Sequence, residues 1–180
     1  MAAKPASEDA VATNKSKTRI WLRRGAEFLI VIVIIFGVRT WQQRDMVKGV
    51  APSLAGQLLD GKPFVLPVKP SQPILVHFWA TWCPICKAEQ DTIASLAQDN
   101  TNVITVAMQS GKGSAVQQFM SEQGISFPVI NDADGQLSAM WGVGAVPASF
   151  VIDTDGKIRH LEVGYTTGWG LRFRLWLAKF

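Results

Sequence analysis

Apolar positions fall along this chain in two different ways. Near the N-terminus they form one unbroken block, Phe28 to Phe36, extended by Gly37 and Val38. Beyond residue 53 they come in short runs and helically spaced sets divided by turn residues, the pattern of alternating strands and helices. Leu58 to Leu66 contains Asp60-Gly61, a two-residue turn signal between short strands. Ile74 to Trp79 is apolar except for His77, as expected of a strand covered on both faces. A helix is predicted from Pro84 through Leu96, with Ile85, Ile93 and Leu96 at helical spacing and Pro84 in the first turn, where a missing N–H costs nothing. Val103 to Met108 predicts a second buried strand. Val116, Phe119 and Met120 mark a helix that Gly124 stops, and Leu137 to Trp141 a short one. Ala148 to Ile152 and Ile158 to Val163 predict strands joined through Asp153-Thr154-Asp155-Gly156. The segment Trp169 to Phe180 alternates like a strand at Leu171, Phe173, Leu175 and Leu177, yet Trp169, Phe173, Trp176, Leu177 and Phe180 share one helical face. Helix is adopted, because a closing helix is needed to cover one face of the sheet; a membrane contact for the aromatic stripe is the alternative. The sum is an α/β sandwich around a mixed central sheet.

The block at 28–38 is by itself too short to cross a bilayer, and its flanks decide its reading. Trp21 and Trp41 stand 20 residues apart, about 30 Å on a helix, the thickness of a hydrocarbon core with an aromatic residue at each interface. Arg23, Arg24 and Glu27 then lie near the cytoplasmic surface, the arginines snorkelling. Lys15, Lys17, Arg19, Arg23 and Arg24 precede the block, and only Arg39, Arg44 and Lys48 follow closely, so the positive-inside rule puts the N-terminus in the cytoplasm and exports the rest. A signal peptide is the alternative, but the nearest small-residue pattern, Ser53-Leu54-Ala55, is far downstream and follows Pro52. Residues 1–18 are rich in Ala, Ser, Thr and Lys without apolar periodicity. The expected division is a disordered cytoplasmic tail over 1–22, a single transmembrane anchor over 23–41, a linker over 42–52 and a folded extracytoplasmic domain over 53–180, which puts the protein in an inner membrane with its domain in the periplasm.

Charge removes one class of function. The net charge of +4 in 180 residues divides into six basic against three acidic residues over 1–27, three against one over 28–52, and nine against ten over 53–180. The folded part therefore lacks the basic excess that nucleic acid binding requires. With only two cysteines, a multiply bridged scaffold is excluded too.

Those cysteines stand as Cys83-Pro84-Ile85-Cys86, right after a predicted strand and at the predicted start of a helix. Unsatisfied N–H groups and the positive end of the helix dipole stabilise a thiolate there, so the Cys83 pKa is expected below the ordinary value of about 8.5. An exposed Cys83 sulfur is the natural attacker, and Cys86, one turn inside, is placed to resolve the mixed disulfide. A purely structural bridge would close too short a loop to constrain the unfolded chain much. Tetrahedral zinc wants four ligands, and His77 and His160 are the only histidines available. No metal and no other cofactor is assigned, with copper(I) held by two thiolates as the alternative.

The stretch Ile74-Leu75-Val76-His77-Phe78-Trp79-Ala80-Thr81-Trp82-Cys83-Pro84-Ile85-Cys86-Lys87 resembles the active-site strand and helix of the thioredoxin superfamily. Gly144-Ala145-Val146-Pro147-Ala148-Ser149-Phe150, with the Asp-Gly turn behind it, resembles its cis-proline strand. Within the superfamily the chain looks like the membrane-anchored TlpA/ResA type. The end, Glu162-Val163-Gly164-Tyr165-Thr166-Thr167 with Trp169-Gly170-Leu171-Arg172, resembles the ScsD-like protein disulfide oxidoreductases associated with suppression of copper sensitivity.

The resemblance implies a thioredoxin-like fold and, as redox-active disulfide, Cys83 as nucleophile with Cys86 as resolving thiol. It implies Pro147 as the cis-proline facing them, with the Val146 backbone pairing with a client strand. Trp82, Pro84 and Ile85 complete the expected client-binding surface, whereas Trp79 and Trp141 read as packing. Glu89 matches an acid that anchored members keep near the site; partly buried, it would have a raised pKa and relay protons, and otherwise it is a solvated helix residue. His77 stands where plain thioredoxins keep a buried aspartate, either as a core imidazole bonded to a neighbour or as a proton shuttle. The implied activity is thiol-disulfide exchange on protein clients, recharged by a transmembrane electron donor of the DsbD/ScsB type. The uncharged Pro-Ile pair between the sulfurs favours reduction or isomerisation over oxidation. A disulfide donor, a cytochrome c maturation thiol reductase and a non-cycling copper-binding module are the rivals.

Overall fold

The structure, a computed structural model, describes residues 21, 24–34, 37–38, 40, 43–99 and 102–180. It divides into two units, Met1–Trp41 and Gln42–Phe180. In the first, the described residues are helical and the side chains from Phe28 to Ile34 are exposed. Among the described residues no helix is long and apolar enough to cross a membrane. The tail expected over 1–22 lies outside the described residues except for Trp21, as do Arg23, Ile35, Phe36, Arg39 and Trp41 of the expected span.

The second unit is built on a six-stranded sheet. Its strands are β1 (Gly49–Val50), β4 (Ile74–Trp79), β5 (Asn102–Met108), β6 (Val129–Asp132), β7 (Ala148–Ile152) and β8 (Lys157–Val163), in the order β1-β8-β7-β4-β5-β6. β4, β5 and β6 run parallel, and β7, β8 and β1 join antiparallel. A hairpin of β2 (Ala55–Gln57) and β3 (Pro63–Val65) turns through Asp60-Gly61 and caps the β6 edge, the Leu59 N–H donating to the Val129 carbonyl at 3.0 Å. The helices are α1 (Pro84–Gln98), α2 (Gly113–Gln123), α3 (Gln136–Met140) and α4 (Gly168–Leu177).

The apolar run of β4, interrupted only by His77, follows from its position: all six residues are buried. Alternation sends Leu75, His77 and Trp79 to one face and Ile74, Val76 and Phe78 to the other. Leu75 joins Ile93 and Leu96 of α1 and Leu171, Leu175 and Ala178 of the closing segment, while Trp79 joins Val116 and Met120 of α2. On the opposite face Phe78 packs against Trp141 and Phe150 with ring centroids 5.6 and 5.7 Å apart, and Trp141 meets Phe150 edge-on at 5.0 Å. Gly124 ends α2 as expected, in the left-handed conformation at φ 64°.

Three expectations need correction. The stretch 42–52, read as a linker, is partly built into the domain: Met46 is buried and Gly49–Val50 pair with β8. Its fit depends on Gly142, at φ 68°, where any Cβ would run into the Asp45 backbone. Strand β6 was not expected, because only Val129 and Ile130 carry its apolar signal. In α4 the helix is present, but it is not the aromatic stripe that packs; Leu171, Leu175 and Ala178 cover the sheet and the stripe faces outward.

The aromatic trio under β4 is the largest fully buried set of rings in the domain. Phe150→Ala is expected to cost about 3–5 kcal/mol of stability, measured by denaturant unfolding of the oxidised protein; a loss under about 1 kcal/mol would mean that the core repacks around the hole.

Candidate active site

The site grows from the C-terminal end of β4. The chain leaves the sheet at Ala80, turns, and re-enters helix at Pro84, so Cys83 becomes the N-cap of α1 at φ −88°, ψ 113°. Its Sγ accepts from the Cys86 N–H at 3.1 Å. That N–H is one of the first-turn donors a helix cannot satisfy internally, the physical basis for stabilising a sulfur anion at this point. Cys83 and Cys86 form a disulfide, with Cα atoms 5.3 Å apart.

Opposite the helix start, the Val146-Pro147 peptide bond is cis. The Cys83 sulfur lies 3.6 Å from the Val146 carbonyl oxygen. Pro147 offers no N–H toward the sulfurs, and the half-buried Val146 precedes β7, so its backbone borders the disulfide without belonging to the ladder. An exposed first sulfur was expected, but Cys83 and Cys86 are only 3% and 4% exposed. The Val146–Pro147 segment covers one side, and the surface around it is formed by Trp82, Pro84 and Ile85, all exposed. All four residues expected to contact clients therefore border one patch.

Trp82 is fixed in place although 59% exposed. Its indole N–H donates to the Gln109 carbonyl at 3.1 Å, and the Thr81 N–H donates to Ser110 Oγ at 3.1 Å. Gln109 adopts φ 45°, the left-handed region that a side chain enters at a cost. Neither Gln109 nor Ser110 belongs to a motif that marks it in the sequence. Trp79 is packing, as expected, its indole N–H donating to Thr105 Oγ1 at 3.1 Å.

Glu89 stands one turn beyond Cys86 on the same face of α1. It is fully buried; Oε1 accepts from the Thr166 N–H at 3.1 Å, and Oε2 has no hydrogen-bond partner. Burial pushes its pKa up to about 7, against the opposing hydrogen bond from Thr166. The solvated alternative is thereby removed: this carboxyl is buried, three residues from a cysteine. Thr166 lies far away in sequence, and only the return of the chain after β8 reveals it.

His77 sits on the same face of β4 as Trp79 and is buried. Its Nδ1 is 2.9 Å from Ser149 Oγ, its register partner on β7. Burial lowers its pKa to about 3, so the ring is neutral and the core-imidazole reading holds. Among the described residues there is no group of three or more His, Cys, Asp or Glu side chains that could hold a metal.

Comparison with known proteins adds four findings. The redoxin family profile matches residues 47–169. The chain is 26% identical to the thiol-disulfide oxidoreductase ResA of Oceanobacillus iheyensis, covering 86% of this chain and 88% of the relative. It is 37% identical to the thiol:disulfide interchange protein DsbE homolog of Paracoccus denitrificans, covering 66% of this chain and 67% of that one. The solved structure of MTB DsbF in mixed oxidized and reduced forms superposes with a TM-score of 0.62 at 26% identity, covering 70% of this chain and 95% of that chain.

Glu89 also links the site to stability. Because its folded pKa is raised from 4.5 to about 7, the fold binds the extra proton between those values, and the stability this group contributes is fully present below the lower one and is lost as pH rises through the upper one. The loss amounts to about 3 kcal/mol on the scale of 1.36 kcal/mol per unit. Unfolding of the oxidised protein at pH 5 and pH 8 should show this decline, and Glu89→Gln, which keeps an acceptor for Thr166, should lack it; parallel pH curves would mean a hydrated carboxylate.

Proposed function

The chain belongs to the redoxin family and is a protein thiol-disulfide oxidoreductase, and from that premise we propose that it works outside the cytoplasmic membrane, tethered by its N-terminal segment, as a reductase or isomerase of protein cysteines. The observation that carries this reading is the Cys83–Cys86 disulfide at a helix start beneath the cis Val146–Pro147 segment, with the buried Glu89 carboxyl one turn behind it.

In the dithiol state the Cys83 thiolate attacks one sulfur of a client disulfide. A Cys83–client bond forms, the client S–S bond breaks and the client's other sulfur leaves as a thiolate that takes up a proton. Cys86 then gives its proton to ionised Glu89 and attacks Cys83 Sγ. The Cys83–Cys86 bond forms and the second client sulfur departs, protonated by Glu89 in turn. The client gains two electrons and two protons, and the enzyme is left as the disulfide. Trp82, Pro84, Ile85 and the Val146 backbone hold the client strand beside the sulfur. The Pro-Ile pair sets no cation next to the Cys83 thiolate, which supports the reducing direction, and an electron donor of the DsbD/ScsB type in the membrane returns the two electrons.

The tether is supported by the apolar block 28–38 between Trp21 and Trp41 and by the basic residues before it. The ResA alignment also reaches beyond the domain, since it covers 86% of this chain whereas Gln42–Phe180 amount to 139 of 180 residues. The ScsD-like resemblance of residues 162–172 supports a setting in copper stress and thiol repair.

Acid-quenched thiol trapping in the native cell envelope should find Cys83 and Cys86 mostly reduced; a mostly oxidised pair would make the protein a disulfide donor. Cys86→Ser should accumulate mixed disulfides with clients on non-reducing gels, and Cys83→Ser should abolish turnover. Full activity in both variants would overturn the mechanism.

A further inference from the structure

The outer face of α4 carries Trp169, Phe173 and Trp176, continued by Phe180, with exposures of 84%, 59%, 52% and 88%. The spacing of three, four and seven residues puts them on one side of the helix, opposite Leu171, Leu175 and Ala178, which pack in the core. The rings form a continuous strip: Phe173 stacks on Trp176 at 6.0 Å and Trp176 meets Phe180 edge-on at 5.4 Å. Folding within the domain leaves this area in water, which contiguous apolar surface of this kind does not tolerate without a use.

Beside the strip lies a cavity of about 350 Å³, lined by Arg172, Lys179, Trp176, Asn102, Gln72 and Asp99 among others. Trp176 belongs to both features. Arg172 donates to Ser95 Oγ at 3.1 Å and pairs with Asp99 at 2.6 Å, so the guanidinium is held at the cavity rim with part of its charge offset. Lys179 adds a second cation. Residues 168–180 contain Arg172, Arg174 and Lys179 and no acidic side chain, and Arg174 pairs with Glu162 at 2.5 Å. Aromatic rings beside a polar pocket with two cations match a bilayer surface, where rings sit at the headgroup boundary and cations meet phosphate. A purely apolar protein groove would leave the cation pocket without a use.

We infer that α4 is a membrane-docking face, its aromatic strip entering the interface of an anionic bilayer and its Arg172–Lys179 pocket taking a phospholipid headgroup phosphate. The inference rests on the tethered reading above. Val38 ends the apolar block and Met46 is already buried in the domain, eight residues apart and so at most about 28 Å. A domain on so short a leash stays within reach of the lipid surface at high effective concentration, and a weak face suffices to hold it there. Docking through α4 fixes which way the domain turns and hence how the disulfide is presented to clients and to a donor within the membrane.

The test uses the full chain labelled with 5-fluorotryptophan, in nanodiscs of phosphatidylethanolamine and phosphatidylglycerol doped with a nitroxide phospholipid. The seven tryptophans are assigned in the 19F spectrum by single Trp→Phe variants. Trp21 and Trp41 report the anchor, Trp169 and Trp176 report α4, and fully buried Trp141 reports the intact fold. The expected result is broadening of all four reporters and not of Trp141. Arg172→Gln with Lys179→Gln should remove most of the α4 broadening while the Trp141 shift stays put, since each cation near an anionic surface is worth about fivefold in partition. Broadening of Trp21 and Trp41 without Trp169 and Trp176 overturns the docking face, keeps the tether and leaves a protein partner as the occupant. No broadening at any of the four overturns tether and docking together. Undiminished α4 broadening in the double variant overturns the headgroup pocket, and equal α4 broadening of the unaltered chain in phosphatidylcholine discs overturns the preference for an anionic bilayer.

Discussion

Everything in the active site depends on β4 being hydrogen-bonded along both edges. On one side β5 runs parallel to it, and on the other β7 runs antiparallel with Phe78 opposite Ala148. That single register brings together two pieces of chain far apart in sequence. The cysteines follow four residues after Trp79, and Pro147 immediately precedes Ala148, so both arrive at the same end of the sheet. A slip by one residue would exchange the buried faces of β4 and separate the disulfide from the Val146 carbonyl. The rings of Phe78, Trp141 and Phe150 resist such a slip from below, and Leu75, with α1 and α4, resists it from above.

Two ionisable groups are buried near this strand, and burial acts on them in opposite senses. Glu89 is driven toward its neutral, protonated form, and His77 toward its neutral, deprotonated form. The common result is that both groups are neutral at mildly acid pH, between their two pKa values. The two differ in what they can do next. His77 is held by Ser149 with a pKa far from neutrality, so it stays a spectator of proton transfer. Glu89 keeps one oxygen without a hydrogen-bond partner, and burial brings its pKa up to about 7.

The domain has two surfaces of unlike chemistry. One is the small patch of Trp82, Pro84, Ile85 and Val146 around sulfurs that are themselves almost covered. The other is the aromatic side of α4, larger and bordered by cations. In the first, the indole of Trp82 is pinned by the Gln109 carbonyl although its ring is exposed.

Much of this could be read from the sequence alone. β4 and β7 appear at their observed limits, because a strand buried on both faces shows as a mostly apolar run, here with only His77 and Ser149 as polar members. The Cys83-Pro84-Ile85-Cys86 motif at a strand-to-helix junction and the Val146-Pro147 step were legible because their chemistry is local. Glu89 was legible as an acid three residues from Cys86, with a raised pKa or a solvated carboxylate as the alternatives, and the choice between them was hidden, since its partner Thr166 is far away in sequence. The near-complete covering of Cys83, the docking of Gln109 on Trp82 and the use of Met46 and Gly49–Val50 in the domain were equally hidden. Each requires contact between segments that sequence does not place side by side. The side of α4 that packs was undecided for a related reason: both faces of that helix are apolar, and hydrophobicity sets how much surface is buried, whereas only the shape of the sheet chooses Leu171 and Leu175 over the larger rings.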